Sequence, residues 1–110
     1  MAHHILIAED DATNQLIIKR ILEKSGYAVT AAENGVQVLK LLEGEHFDLI
    51  VMDVQMPQMD GVEATRKIRG SSSRYQDIPI IALTAYAMTG DKEKFLQAGM
   101  NAYIAKPVDK

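Results

Sequence analysis

The chain has no cysteine, which removes disulfide scaffolds and thiolate metal sites and leaves the cytoplasm as the expected compartment. Basic residues are in short supply: 12 Lys and Arg stand against 15 Asp and Glu, a formal charge of -3. No stretch gathers them into the stripe that a nucleic-acid-binding face needs, so direct contact with nucleic acid is not expected. Long apolar runs are missing too. The most hydrophobic strand-like run, residues 49–52, is far too short to cross a bilayer, and the first residues lack the charged-then-apolar plan of a signal peptide, so no membrane contact is expected. There are no internal repeats and, beyond a short serine run at 71–73, no low-complexity tract. The adjacent His3 and His4 match no metal-ligand spacing.

What is present suits one compact domain spanning residues 1–110: the length is that of a single domain, and 47% hydrophobic residues supply one core. Short apolar runs alternate with segments of helical spacing. Residues 5–8 read as a strand buried on both faces, followed by a helix that Thr13 can cap, with Ile17, Ile18, Ile21 and Leu22 at helical spacing and Gly26 as a left-handed stop. A weaker strand at 28–31 precedes Asn34 as a cap and a helix presenting Val38, Leu39, Leu41 and Leu42. The third strand is 49–52, and a loop through Pro57 and Gly61 leads to a helix with Val62 and Ile68 that ends near Gly70. A fourth strand at 80–83, a helix over 89–98 with Phe95 and Leu96 inward, a stop at Gly99 and a fifth strand at 102–105 complete the pattern. Strands and helices in this alternation predict an α/β fold, a five-stranded parallel sheet wound with right-handed crossovers on the flavodoxin-like plan, order 2-1-3-4-5.

Sheets of this kind place their sites beyond the carboxyl ends of the strands. There the first strand is followed by Glu9, Asp10 and Asp11, the third by Asp53, the fourth by Thr84 and the fifth by Lys106. Acids after a strand often do no more than start the next helix, but a carboxylate directly after an unbroken apolar strand is costly without compensation. Grouped carboxylates repel one another and invite a hard divalent cation, for which oxygen ligands suit Mg2+. A carboxylate can also act as nucleophile toward a phosphoryl group, a transfer that needs chiefly positioning and charge neutralisation. A metal, a lysine and a hydroxyl would supply both.

The residues Ile5-Leu6-Ile7-Ala8-Glu9-Asp10-Asp11, Asp48-Leu49-Ile50-Val51-Met52-Asp53-Val54-Gln55-Met56-Pro57 with Met59-Asp60-Gly61, Leu83-Thr84-Ala85, and Tyr103-Ile104-Ala105-Lys106-Pro107 resemble the response-regulator receiver family in order and spacing, over nearly the whole chain. The segment from 82 to 107 is similar to receivers fused to hybrid sensor histidine kinases. The resemblance implies that Asp53 is the phosphoacceptor, that Glu9 and Asp10 hold Mg2+ together with Asp53 and the backbone carbonyl of Gln55, and that Lys106 pairs with the acceptor and then with the phosphoryl oxygens. It implies a switch pair, Thr84 and Tyr103, and makes Gln55 and Tyr86 the positions that tune hydrolysis of the acyl phosphate. Asp11 lies one place beyond the metal pair and is expected to start the helix. The implied partner is a histidine kinase or histidine phosphotransfer domain, and the implied enzymology is limited to the domain's own phosphorylation and dephosphorylation.

One departure stands out: the sequence stops three residues after Pro107, where the family continues into a fifth helix. The expectation is a cut chain or a homo-oligomer in which a second copy covers the apolar sheet face that helix would occupy. Competing readings are a haloacid-dehalogenase-like phosphatase, which wants a second Asp where Gln55 stands; a flavodoxin-like flavin binder, for which the acidic first loop is unsuited; and a degenerate receiver acting only through binding, which is disfavoured because no site residue is missing.

Overall fold

The computed structural model describes residues 3–54, 59–71, 75–84 and 91–105. The elements follow one another as β1 (His4–Ala8), α1 (Ala12–Lys24), β2 (Ala28–Ala32), α2 (Gly35–Gly44), β3 (Leu49–Asp53), α3 (Gly61–Gly70), β4 (Ile80–Thr84), α4 (Asp91–Ala98) and β5 (Ala102–Ala105). All four strand pairings are parallel and the spatial order is β2-β1-β3-β4-β5, as the alternating pattern predicts. Strand order reverses between β1 and β3, which opens a crevice at their carboxyl ends.

Alternation along the strands sorts the core into two layers. Leu6, Ala8, Ile50, Met52, Ile80 and Ala82 turn toward the side where Val38 and Leu42 of α2, Val62 and Ile68 of α3 and Phe95 of α4 pack. Ile5, Ile7, Val51 and Leu83 turn the other way and meet Ile18 of α1, with Leu22 beside it. On this second face Ile5, Ile7, Val51 and Leu83 are buried, while Ile81, the partner of Val51 in the next strand, is only partly so. The expectation of a missing fifth helix concerns residues 106–110, outside the described ones.

Three local expectations need correction. The cap of α1 is Asp11, not Thr13: its extended backbone precedes the helix and its side chain accepts from the Asn14 N–H. Ile17 points outward, because Ile18 and Leu22, one turn apart, already take the sheet-facing positions and a neighbour is rotated by about 100°. For the same reason Leu96 is exposed while Phe95 and Ala98, three apart, are buried. Thr89, the expected start of that last helix, lies outside the described residues, and α4 is described from Asp91. The stops hold: Gly26 and Gly99 have φ of 96° and 112°, a region that glycine enters without steric cost.

Candidate active site

The site begins with register. Ala8 of β1 lies opposite Met52 of β3, so Glu9 and Asp53 leave the sheet at the same height. Glu9 continues the alternation of Ile5 and Ile7, and Asp53 that of Val51, so both carboxylates start from the face that α1 covers. Asp10 follows on the loop to α1. One carboxylate oxygen from each of Glu9, Asp10 and Asp53 lies within 4.8 Å of the others.

Burial differs within the trio. Glu9 is 1% and Asp53 3% exposed, whereas Asp10 faces solvent. Two ionised carboxylates at this separation repel by about 3 kcal/mol at an effective dielectric near 20. A cation offsets that repulsion, and a donor set made only of carboxylate oxygens fits a hard ion such as Mg2+ rather than a metal that prefers nitrogen or sulfur.

Backbone contacts hold the trio in place. The Val54 N–H donates to the Leu83 carbonyl at 3.0 Å and the Gly61 N–H to the Val54 carbonyl at 2.9 Å, which ties the end of β3 to β4 and to the start of α3. Gly61 sits so close that a Cβ there would collide with the Asp53 carbonyl oxygen and come within 2.9 Å of Met52 Cγ. Asp60 caps α3 by accepting from the Glu63 N–H at 2.8 Å. On the other side, the Asp11 N–H donates to Glu9 Oε2 at 3.1 Å, and the Gln15 side-chain amide donates to the Glu9 carbonyl at 2.9 Å and to the Ala32 carbonyl at 3.4 Å.

Of the predicted site residues, Glu9, Asp10 and Asp53 converge, and Asp11 starts α1 as expected. Thr84 ends β4, opposite Ala105 of β5. Tyr103 lies on β5, opposite Ala82, with 37% of its surface exposed and its ring centroid 6.3 Å from that of Phe95. Gln55, Tyr86 and Lys106 lie outside the described residues. Sequence reasoning gave no role to Gln15 or to the close packing of Gly61 on Asp53. An amide six places after Glu9 carries no signal until the loop between them is folded, whereas Gly61 was visible within the Met59-Asp60-Gly61 motif.

Comparison with known proteins agrees with this geometry. Residues 5–110 match the family model described as response regulator receiver domain. The chain is 44% identical over 111 residues to hybrid signal transduction histidine kinase I of Dictyostelium discoideum, covering 96% of this chain but only 6% of that protein. It is 38% identical to the polar-differentiation response regulator DivK of Brucella ovis, over 98% of this chain and 87% of DivK. Among solved structures, the receiver domain of sensor histidine kinase PA1611 from Pseudomonas aeruginosa superposes with a TM-score of 0.89 at 44% identity, covering 99% of this chain and 88% of that one, and carries a magnesium ion coordinated in its active-site cleft.

Proposed function

Because the chain belongs to the response-regulator receiver family and is a receiver domain of two-component signalling, we propose that Asp53 is its phosphoacceptor and that Glu9, Asp10 and Asp53 hold the Mg2+ on which the reaction depends. The observation that carries this reading is the meeting of those three carboxylates at the carboxyl ends of β1 and β3, two of them buried. The backbone carbonyl of Gln55 is the proposed further ligand. When bound, Mg2+ supplies positive charge that offsets the carboxylates and the incoming phosphoryl oxygens.

In the proposed transfer, an Asp53 carboxylate oxygen forms a bond to phosphorus as the P–N bond of a phosphohistidine breaks. The leaving imidazole nitrogen keeps the electron pair and, once protonated, departs as neutral imidazole. The strand end holds Asp53 for in-line approach, since Gly61 and Val54 fix its backbone. Lys106 is assigned the phosphoryl oxygens as its ion partner, and the Thr84 hydroxyl donates to them. Phosphorylation adds about -1.5 to -2 charges, and these new bonds favour a conformer in which Tyr103 moves inward and the surface of α4 and β5 changes. Gln55 and Tyr86 are the residues proposed to set the rate of hydrolysis.

The partner class is a histidine kinase or histidine phosphotransfer domain, in keeping with the hybrid kinases among the relatives. We take residues 1–110 as one domain that works in the cytoplasm without touching nucleic acid. Among the described residues no helix is long and apolar enough to cross a membrane. A homo-oligomer would cover the part of the α1 face where Ile81 is only partly buried. Neither the phosphatase nor the flavin-binding reading finds support among the relatives. The test is incubation with acetyl phosphate: wild type should take up one phosphoryl group with Mg2+ and none with EDTA, and Asp53→Asn should take up none. Equal uptake by Asp53→Asn refutes the assignment.

A further inference from the structure

Asp10 is the exposed member of the trio, on a loop, yet the peptide groups on both sides of it are tied down. The carbonyl of the Glu9–Asp10 peptide accepts from Gln15 Nε2 at 2.9 Å. The N–H of the Asp10–Asp11 peptide donates to Glu9 Oε2 at 3.1 Å. The same Gln15 amide reaches the Ala32 carbonyl at 3.4 Å, and Ala32 in turn accepts from the Glu9 N–H at 3.0 Å. Gln15 is anchored in α1, its N–H donating to the Asp11 carbonyl at 2.9 Å. The β1–β2 ladder has its last paired residues at Ala8 and Ala32, so the Gln15 amide carries the connection one residue past the ladder, onto the acid that follows it.

We propose that Gln15 is a positioning residue for the cation site: by holding the Glu9 carbonyl it fixes the peptide plane from which Asp10 projects, and so sets the Asp10 carboxylate against Glu9 and Asp53 before any ion arrives. The inference rests on the reading of the trio as a Mg2+ site. Without the Gln15 bond, the peptide between Glu9 and Asp10 loses one of its restraints, and binding the ion must then restrict the added motion at a cost in affinity. Loss of one net hydrogen bond's worth of pre-organisation, about 1 kcal/mol, corresponds to a roughly fivefold weaker ion affinity.

The experiment compares Mg2+ affinity by isothermal titration calorimetry with thermal unfolding in EDTA, for wild type, Gln15→Met and Gln37→Met. Methionine keeps the length and removes the amide. Gln37 serves as a matched control because its side chain also bonds the backbone at this end of the sheet, accepting from the Glu33 N–H at 2.9 Å rather than donating to the Glu9 carbonyl as Gln15 does. Gln15→Met should bind Mg2+ about fivefold more weakly and regain wild-type acetyl phosphate uptake at saturating Mg2+, whereas Gln37→Met should lose thermal stability with its Mg2+ affinity within about twofold of wild type. Should Gln15→Met not fold, Gln15→Asn, which shortens the reach of the amide by one methylene, is expected to weaken affinity in the same way. Unchanged Mg2+ affinity in a folded Gln15 variant overturns the inference and leaves the proposed function standing. A wild-type protein that binds no Mg2+ overturns both.

Discussion

Replacing Gly61 by alanine tests how tightly the strand that ends in Asp53 is held. The added Cβ would overlap the Asp53 carbonyl oxygen and lie 2.9 Å from Met52 Cγ, closer than real Cβ contacts come, and one of the colliding atoms is backbone at the end of a buried strand. Relief therefore requires α3 to move away from β3, which stretches the 2.9 Å bond from the Gly61 N–H to the Val54 carbonyl. Overpacking of this kind costs about 1–3 kcal/mol, and for a domain near 100 residues that is a fall in Tm of roughly 5–20 °C. Gly44→Ala is the counterpart: it also sits in a helix, nothing lies within 4 Å of its added Cβ, and it should stabilise by about 0.4–1 kcal/mol through the unfolded chain. Thermal unfolding followed by circular dichroism, with acetyl phosphate uptake measured well below Tm, reads both effects. Gly61→Ala should be less stable and slower to take up phosphoryl, because the displaced backbone is that of Asp53 itself. A Gly61→Ala protein as stable as Gly44→Ala would refute the packing argument.

Other consequences are equally open to measurement. Saturating Mg2+ should raise Tm in wild type and less so in Asp10→Asn, since an ion at ten times its Kd stabilises by about 1.4 kcal/mol; equal shifts in a titrated melt would place the ion elsewhere. At the opposite end of the sheet, the Asp48 carboxyl is held below its ordinary pKa chiefly by the His4 N–H that donates to it at 2.8 Å. A depressed folded pKa stabilises above the unfolded value, about 3.9, and that contribution disappears as pH falls through the folded one. Asp48→Asn should thus be less stable than wild type at pH 6, and the gap should close below about pH 4 in urea titrations. Arg69→Ala removes bonds to the carbonyls of Gly99 and Gln76 and to Asn101 Oδ1, at 2.9, 2.8 and 3.0 Å, and should lower stability by about 1–3 kcal/mol. Arg69→Lys should not restore it in chemical denaturation, because one ammonium cannot span the acceptors that the guanidinium fork reaches.

Fold and site were legible in the sequence to different depths. Unbroken apolar runs such as 49–52 announce strands buried on both faces, and their alternation with helical spacing leaves few topologies, so strand order followed. The acids were legible because a carboxylate straight after such a run has no inexpensive structural use. Helix orientation was less so: Ile17 and Leu96 are as apolar as their inward neighbours, and which of two adjacent positions faces the sheet is set by packing rather than by periodicity. The competition between Asp11 and Thr13 for the cap of α1 was decided by where β1 lets the chain turn, a tertiary fact. Contacts across the loops, Gln15 on Glu9 and Gly61 on Asp53, join residues whose proximity exists only after the strands have aligned.

Locating the phosphoryl group tests the account most directly. Borohydride reduction of the protein after reaction with acetyl phosphate and Mg2+ converts an aspartyl phosphate to homoserine, and peptide mass mapping finds its position. The geometry of the three carboxylates predicts homoserine at position 53 alone, absent when Mg2+ is withheld. Homoserine at Asp10 or Asp11, or its formation at 53 to the same extent without Mg2+, would contradict it.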